Sequence, residues 1–361
     1  MSRVINFSAG PSTIPLSVLE HAKAEFTDYK GNGYSIMEIS HRTKIFEEVL
    51  HSAMARVKRL YGFGENFKIL FLQGGGSLQF AQVPMNLMTP GGYAEYANTG
   101  NWTNKAIKEA EILGINHKVV ASSKESKFDH IPEFAFSDDA DYGYICSNNT
   151  IYGTQYKALP KCKCPLVVDS SSDLFSRPVD ISSVGLFYGG IQKNGGPAGV
   201  TMVAIREDLL DRAENTRTPM ILRYKTQSDA DSMYNTPNTF GIYMLDLMLA
   251  WIEDEIGGLA KMAQRNEQKA QILYDAIDAN DGFFVGHARK DSRSLMNVSF
   301  NIASGAETEA KFIAEASAAG MIGLKGHRVL GGIRASLYNA ITVENVQTLV
   351  SFMNEFVRKN G

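Results

Sequence analysis

FKILFL, YGYICS, PLVVD, GLFYGG and VTMVAIR are short, almost uninterrupted apolar runs. A strand with one wet face alternates apolar and polar residues; these runs do not, so both of their faces are buried. Helical patterns separate them. FKILFL leads through Gln73 and three glycines into an apolar helix at Leu78–Leu87, and YAEYAN precedes a helix carrying Ala106, Ile107, Ala110 and Leu113. Such alternation predicts an α/β domain on a parallel or mostly parallel sheet covered by helices. Before it, residues 16–29 place Leu16, Leu19, Lys23 and Phe26 on one helical face, stopped by Gly31. Residues 44–60 repeat the pattern with Ile45, Phe46, Val49, Leu50, Val57 and Leu60, ending at Gly62. A long helical stretch near 238–279 then changes the texture. MNVSFNI, a helix at 306–319, the glycine-spaced GMIGLKGHRVLGG, a strand at IRASLY and a last helix at 342–358 follow. The expected division is a large α/β domain over 16–255 and a smaller α+β domain over 256–361, joined by the N-terminal arm 1–15.

At 361 residues the chain is long enough for two such domains. Its net charge of −3 argues against a nucleic-acid or anionic-membrane partner. MSRVINFSAGPS has no long apolar core behind Arg3, which argues against a signal peptide, and no apolar run reaches the length of a membrane span. Cys146, Cys162 and Cys164 are few and odd in number, as expected of free thiols in a reducing cytoplasm. Cys162 and Cys164 are spaced to share a metal, but no second ligand cluster lies nearby, so no metal is expected.

The chemistry gathers where runs meet loops. Lys193 sits between two glycine pairs in GGIQKNGGPAG, and Asp169 closes PLVVD. An unhindered lysine amine reacts with an aldehyde, and a carboxylate at the end of a buried strand can keep a ring nitrogen protonated. Pyridoxal phosphate (PLP) chemistry requires both groups. Alone, the two residues read equally as a surface lysine in a glycine turn and a strand-capping aspartate. Gln73-Gly74-Gly75-Gly76-Ser77 lies between a strand and a helix, where bare N–H groups, the helix dipole and a hydroxyl attract phosphate. It has neither the Lys-Ser/Thr of a nucleotide loop nor a dinucleotide spacing, so one small phosphate fits it better. Trp102, opening a helix after TGN, either stacks on a planar heterocycle or anchors a core. Thr150 in SNNTIYG either donates to a phenolate oxygen or is, with Asn149, an ordinary turn residue. His41-Arg42, His327-Arg328 and Arg334 read as solvated charge or as cations for a carboxylate and a phosphate, since guanidinium donates paired bonds to both.

The ordered segments NFSAGP, GGGSLQFAQVPMNL, NTGNW, SNNTIYG, VVDSSSDLFSRPVD, GGIQKNGGPAG, MYNTPNTF and LKGHRVLGGIRASLYNA resemble the phosphoserine aminotransferase family over essentially the whole chain. The family comprises class V PLP-dependent transaminases of fold type I. The resemblance implies a large domain with a mostly parallel mixed sheet and a smaller α+β C-terminal domain. It implies that Lys193 forms the Schiff base, Asp169 partners the pyridine nitrogen, Trp102 stacks on the ring and Thr150 lies beside the phenolic oxygen. Gly76, Ser77 and Gln192 match phosphate ligands. Asn235 and Thr236 match phosphate contacts donated by a second subunit, which implies a homodimer. His41, Arg42, His327 and Arg328 match the pocket for the substrate phosphate or the glutamate side-chain carboxylate, and Arg334 the clamp for the α-carboxylate.

The implied reaction is reversible amino transfer between L-glutamate and 3-phosphohydroxypyruvate, giving 2-oxoglutarate and O-phospho-L-serine in serine biosynthesis. The family also acts on the phosphorylated four-carbon keto acid of pyridoxine biosynthesis. Some bacterial relatives have arginine where this chain has Ser77, and serine where it has Ala9, so the anion pocket here relies on its other cations. The rival expectations are a serine–glyoxylate aminotransferase, a cysteine desulfurase and a PLP-binding module without turnover. A desulfurase needs a cysteine on an active-site loop, and a glyoxylate enzyme has no use for the His-Arg pairs.

Overall fold

A computed structural model describes residues 3–213, 218–280 and 282–361. Seven strands form the main sheet: β1 (Phe67–Leu72), β2 (Ala94–Asn98), β3 (His117–Ser122), β4 (Tyr142–Cys146), β5 (Leu166–Asp169), β6 (Val184–Gly190) and β7 (Thr201–Arg206). Their spatial order is β1-β7-β6-β5-β4-β2-β3. Only β7 runs antiparallel to its neighbours. The reason lies in its connection. Parallel strands need a crossover of a dozen residues or more, whereas residues 191–200 alone join β6 to β7, and Gly190 pairs directly with Thr201. The chain must turn straight back, which leaves Lys193 in a tight loop at the carboxyl end of β6.

The apolar runs become strands because helices cover both faces of the sheet. Along β6, Phe187 enters one buried cluster with Phe46, Leu50 and Leu245. Leu186 and Tyr188 point the other way, among Phe80, Tyr96 and Val203. Strand β3 has no such run; it is an edge strand whose residues are all exposed or half-buried, and HKVVAS did not announce it.

A second sheet is antiparallel and three-stranded, with β8 (Phe284–Gly286), β9 (Asn297–Ile302) and β10 (Ile333–Ser336) in that order. Its core contains Val298, Phe300, Phe312 and Phe356 together with Phe7. The short strand Ile5–Asn6 pairs with Met321–Ile322. On β10, Ile333 and Ala335 are buried while Arg334 is half-buried.

Three helices differ from expectation. The first spans Leu16–Ala24 and buries Val18 and Ala22. Leu16 is 54% exposed and Phe26, beyond the helix end, 44%. The stretch near 238–279 is divided into Thr239–Ala250, a π-helical turn Trp251–Ile256, and Leu259–Ala279. The break falls at Gly257 and Gly258, both in positive φ (88° and 92°), where glycine alone is unstrained. The helix after β1 begins at Gly75 rather than Leu78, so Gly76 and Ser77 lie in its first turn. No helix among the described residues is long and apolar enough to cross a membrane.

Candidate active site

Strands β1, β2, β4, β5 and β6 all point the same way, so their carboxyl ends form one rim, the position at which open α/β sheets bind ligands. A cavity of about 270 Å³ opens there. Gly76 and Ser77 reach it from β1, Trp102 from β2, Thr150 from β4, Asp169 from β5, and Gln192 and Lys193 from β6; Arg334 on β10 and His327 in the loop before it complete the wall.

Lys193 Nζ donates to Thr150 Oγ1 at 2.8 Å and stands 5.7 Å from the Trp102 ring centroid. Burial pushes its amine down to about 8, against the opposing pull of Asp169. Asp169 is 4% exposed. Its Oδ1 accepts from Ser171 N–H at 2.9 Å and Ser171 Oγ at 2.6 Å, leaving Oδ2 without a protein partner among the described residues. Burial raises this carboxyl above its usual range, while Ser171 and the Lys193 charge act the other way. Cys146 is paired in register with Asp169 across β4 and β5. Burial raises its thiol well above normal, so it adds no second negative charge beside the aspartate.

The Gly75–Leu87 helix starts against the cavity, where first-turn N–H groups lack intrahelical acceptors. A Cβ on Gly76 would come within 2.9 Å of Ser171 Oγ, so that approach needs a bare backbone or a shift of Ser171. Arg334 NH1 donates to Thr150 O at 3.2 Å, and its Nε is buried without a partner among the described residues. His327 Nδ1 accepts from Val329 N–H at 3.2 Å, which assigns the ring proton to Nε2. Burial lowers the His327 pKa, helped by Arg334, Arg328 and Lys105.

This donor set suits PLP. One cavity holds a lysine amine for an aldehyde, a strand-end carboxylate with a free oxygen for a ring nitrogen, an indole wall, and a helix start for a phosphate. The remaining sequence-derived candidates lie elsewhere. Arg328 is exposed beside His327. His41 is half-buried and Arg42 exposed in the loop before the helix Lys44–Tyr61, and neither lines the cavity. Asn235 lines a separate cavity with Gln73 and Gly74, and Thr236 O accepts from Gln73 Nε2 at 2.8 Å.

Ser171 is a site residue whose one local signal is that of an Asx turn, a serine two positions after an aspartate. The resemblance marks Ala9 as a departure, but no motif ties the arm at Ala9–Ser12 to Gln192 or Lys193. Ala9 and Gly10 line the cavity, Ser12 N–H donates to Gln192 O at 3.0 Å, and Ser12 Oγ bonds Lys193 O. No local pattern announces a contact between segments so far apart.

The class-V aminotransferase family profile matches residues 4–349. A phosphoserine aminotransferase of Campylobacter jejuni subsp. doylei is 59% identical over 357 residues, covering 99% of each chain. Among solved structures, phosphoserine aminotransferase from Bacillus circulans subsp. alkalophilus is similar with a TM-score of 0.95 and 47% identity, covering 99% of both chains. PLP-bound phosphoserine aminotransferase from Trichomonas vaginalis gives a TM-score of 0.93 at 38% identity, covering 98% of this chain and 100% of its own. Together with the strand-end cavity, these likenesses make the chain a PLP-dependent enzyme of fold type I that belongs to the class-V aminotransferase family, in its phosphoserine aminotransferase branch.

Proposed function

We propose that this enzyme reversibly transfers the amino group of L-glutamate to 3-phosphohydroxypyruvate, forming 2-oxoglutarate and O-phospho-L-serine for serine biosynthesis. The observation that carries the reading is Lys193 Nζ held by Thr150 Oγ1 in the same cavity as Asp169 and Arg334.

PLP bound here supplies a reactive carbonyl and an electron-withdrawing ring. Lys193 would hold the cofactor by its amine and would serve as the base for the substrate Cα proton; its position would make that transfer effectively unimolecular. Asp169 would keep a proton on the ring nitrogen, and Ser171 holds Asp169 in place. Trp102 would form the wall against the ring, Gly76, Ser77 and Gln192 would take the cofactor phosphate, and Thr150 would serve the phenolic oxygen. Arg334, with one guanidinium nitrogen on Thr150 O and Nε unpartnered, offers its remaining donors to the α-carboxylate. His327, Arg328, His41 and Arg42 serve the distal anion. A donor amine and a keto acceptor sharing one lysine imply ping-pong kinetics.

The test compares two arginines. Only phosphoserine and glutamate carry a distal anion, whereas every amino acid carries an α-carboxylate. A lost charge-assisted hydrogen bond is worth about 1.5–3 kcal/mol. Arg328→Ala is therefore expected to lower kcat/KM for phosphoserine about 10- to 100-fold and for alanine far less, while Arg334→Ala lowers both alike. If the phosphoserine-to-alanine ratio falls no further in Arg328→Ala than in Arg334→Ala, the distal pocket has been misplaced. The four-carbon keto acid of pyridoxine biosynthesis belongs in the same assay series.

We also infer a cytoplasmic homodimer, in which Asn235 and Thr236 of each chain reach the neighbour's cofactor phosphate and His41 and Arg42 its distal anion. Their positions away from the chain's own cavity support this. Dilution is then expected to release PLP together with dissociation, measured by cofactor absorbance and sedimentation. A monomer retaining PLP undiminished would refute the shared site.

A further inference from the structure

A further cation stands beside the Trp102 wall of the cavity. Lys105 follows Trp102 by three positions on the helix Asn101–Ile112, a spacing that puts both side chains on one face. Its Nζ lies 4.8 Å from the centroid of the Trp102 ring. That ring is a wall of the cavity and has Lys193 Nζ 5.7 Å from the same centroid. His327 lines the same cavity, and there burial first, then the charges of Arg334, Arg328 and Lys105, disfavour the charged imidazole. Among the described residues, neither Lys105 nor Arg328 forms an ion pair, whereas Lys108 on the same helix pairs with Glu111 at 2.9 Å. Cations left together without a counter-charge repel one another, and an incoming anion relieves that repulsion.

We propose that Lys105 is a specificity-determining residue that supplies, from the Trp102 side of the mouth, a cation for the distal anion of the substrate. The group recognised is the phosphate of phosphoserine or the side-chain carboxylate of glutamate. The proposal rests on the phosphoserine reading above and adds to it a residue from the helix after β2. Ser77, the polar side chain at the start of the Gly75–Leu87 helix, brings no charge to the cavity. Lys105 does carry a charge: it stands exposed outside the cavity lining, with its ammonium over the indole of the Trp102 wall.

Lys105→Met keeps a long apolar stem beside Trp102 and removes the charge. In the holoenzyme, the ratio of kcat/KM for phosphoserine over that for alanine is expected to fall about ten-fold. Calorimetric binding of 3-phosphoglycerate, a phosphorylated carboxylate with no amine to transfer, should weaken by about the same factor. Lys105→Arg should restore most of both losses. An unchanged ratio in Lys105→Met overturns the assignment. So does an equal loss for phosphoserine and alanine accompanied by faster release of PLP on dialysis, which would make Lys105 a support for Trp102 alone. A parent enzyme without preference for phosphoserine over alanine would remove the substrate reading and this assignment with it. A parent with the preference, kept intact in Lys105→Met, would remove only the assignment.

Discussion

Lys193→Ala is expected to lower kcat by about four orders of magnitude or more, the upper range for one positioned acid–base group. The side chain has two tasks that no neighbour can take over. It is the amine in the cavity, held by Thr150 Oγ1 at 2.8 Å, and in the proposed mechanism it is the base for the substrate Cα. Burial lowers its pKa to about 8. Below that pH the amine is mostly protonated and cannot attack a carbonyl; above it, the amine is mostly neutral and can. Capture of PLP by the cofactor-free protein should therefore accelerate as pH rises through about 8 and then level off. A lysine at its ordinary value of about 10.4 would still be accelerating near pH ~10. Stopped-flow absorbance reads this profile directly. A small added amine should rescue part of the lost turnover in Lys193→Ala by replacing the missing base. Retention of more than about one per cent of the parent kcat without added amine would exclude Lys193 as the acid–base group.

What could be read from the residues, and what could not, follows from how local each signal is. The strands of the sheet interior were visible as apolar runs because helices cover both faces; β3, at the edge, lacks that covering and lacks the run. The positions of Lys193 and Asp169 at strand ends were visible because glycines and an aspartate interrupt apolar segments there. The start of the helix at Gly75 was not, since glycine is a poor helix former and the cavity end of that helix opens on two of them behind a glycine cap. Contacts that depend on register were hidden. Cys146 lies beside Asp169 only because β4 and β5 pair with Cys146 opposite it. The arm at Ser12 grips the backbone of Gln192 and Lys193 only once the N-terminus has been brought across the fold. Charge gathered at the cavity mouth was partly legible in the His327-Arg328 pair. Lys105 was not, because its meaning comes from an unpaired charge over Trp102 rather than from any motif.

Asp169→Asn is expected to cost roughly 10³-fold in kcat, comparable to removing one preorganised electrostatic group from an active site, while leaving most of the bound PLP in place. The substitution is nearly isosteric, and the amide oxygen can still accept both bonds from Ser171, so the side chain keeps its position. What changes is the edge facing the ring nitrogen. A carboxylate oxygen there would accept a hydrogen bond from the protonated ring nitrogen and stabilise its positive charge; an amide NH₂ in its place would donate to an unprotonated nitrogen instead. The ring then loses its strongest pull on electrons from Cα, and a thousand-fold loss corresponds to about 4 kcal/mol of transition-state stabilisation. Burial sharpens the effect, because at 4% exposure little water is available to replace the missing charge. Single-turnover rates measured beside cofactor content after dialysis separate the two roles. An unchanged rate would mean that Asp169 does not face the ring nitrogen, and loss of PLP in proportion to activity would reduce it to an anchor.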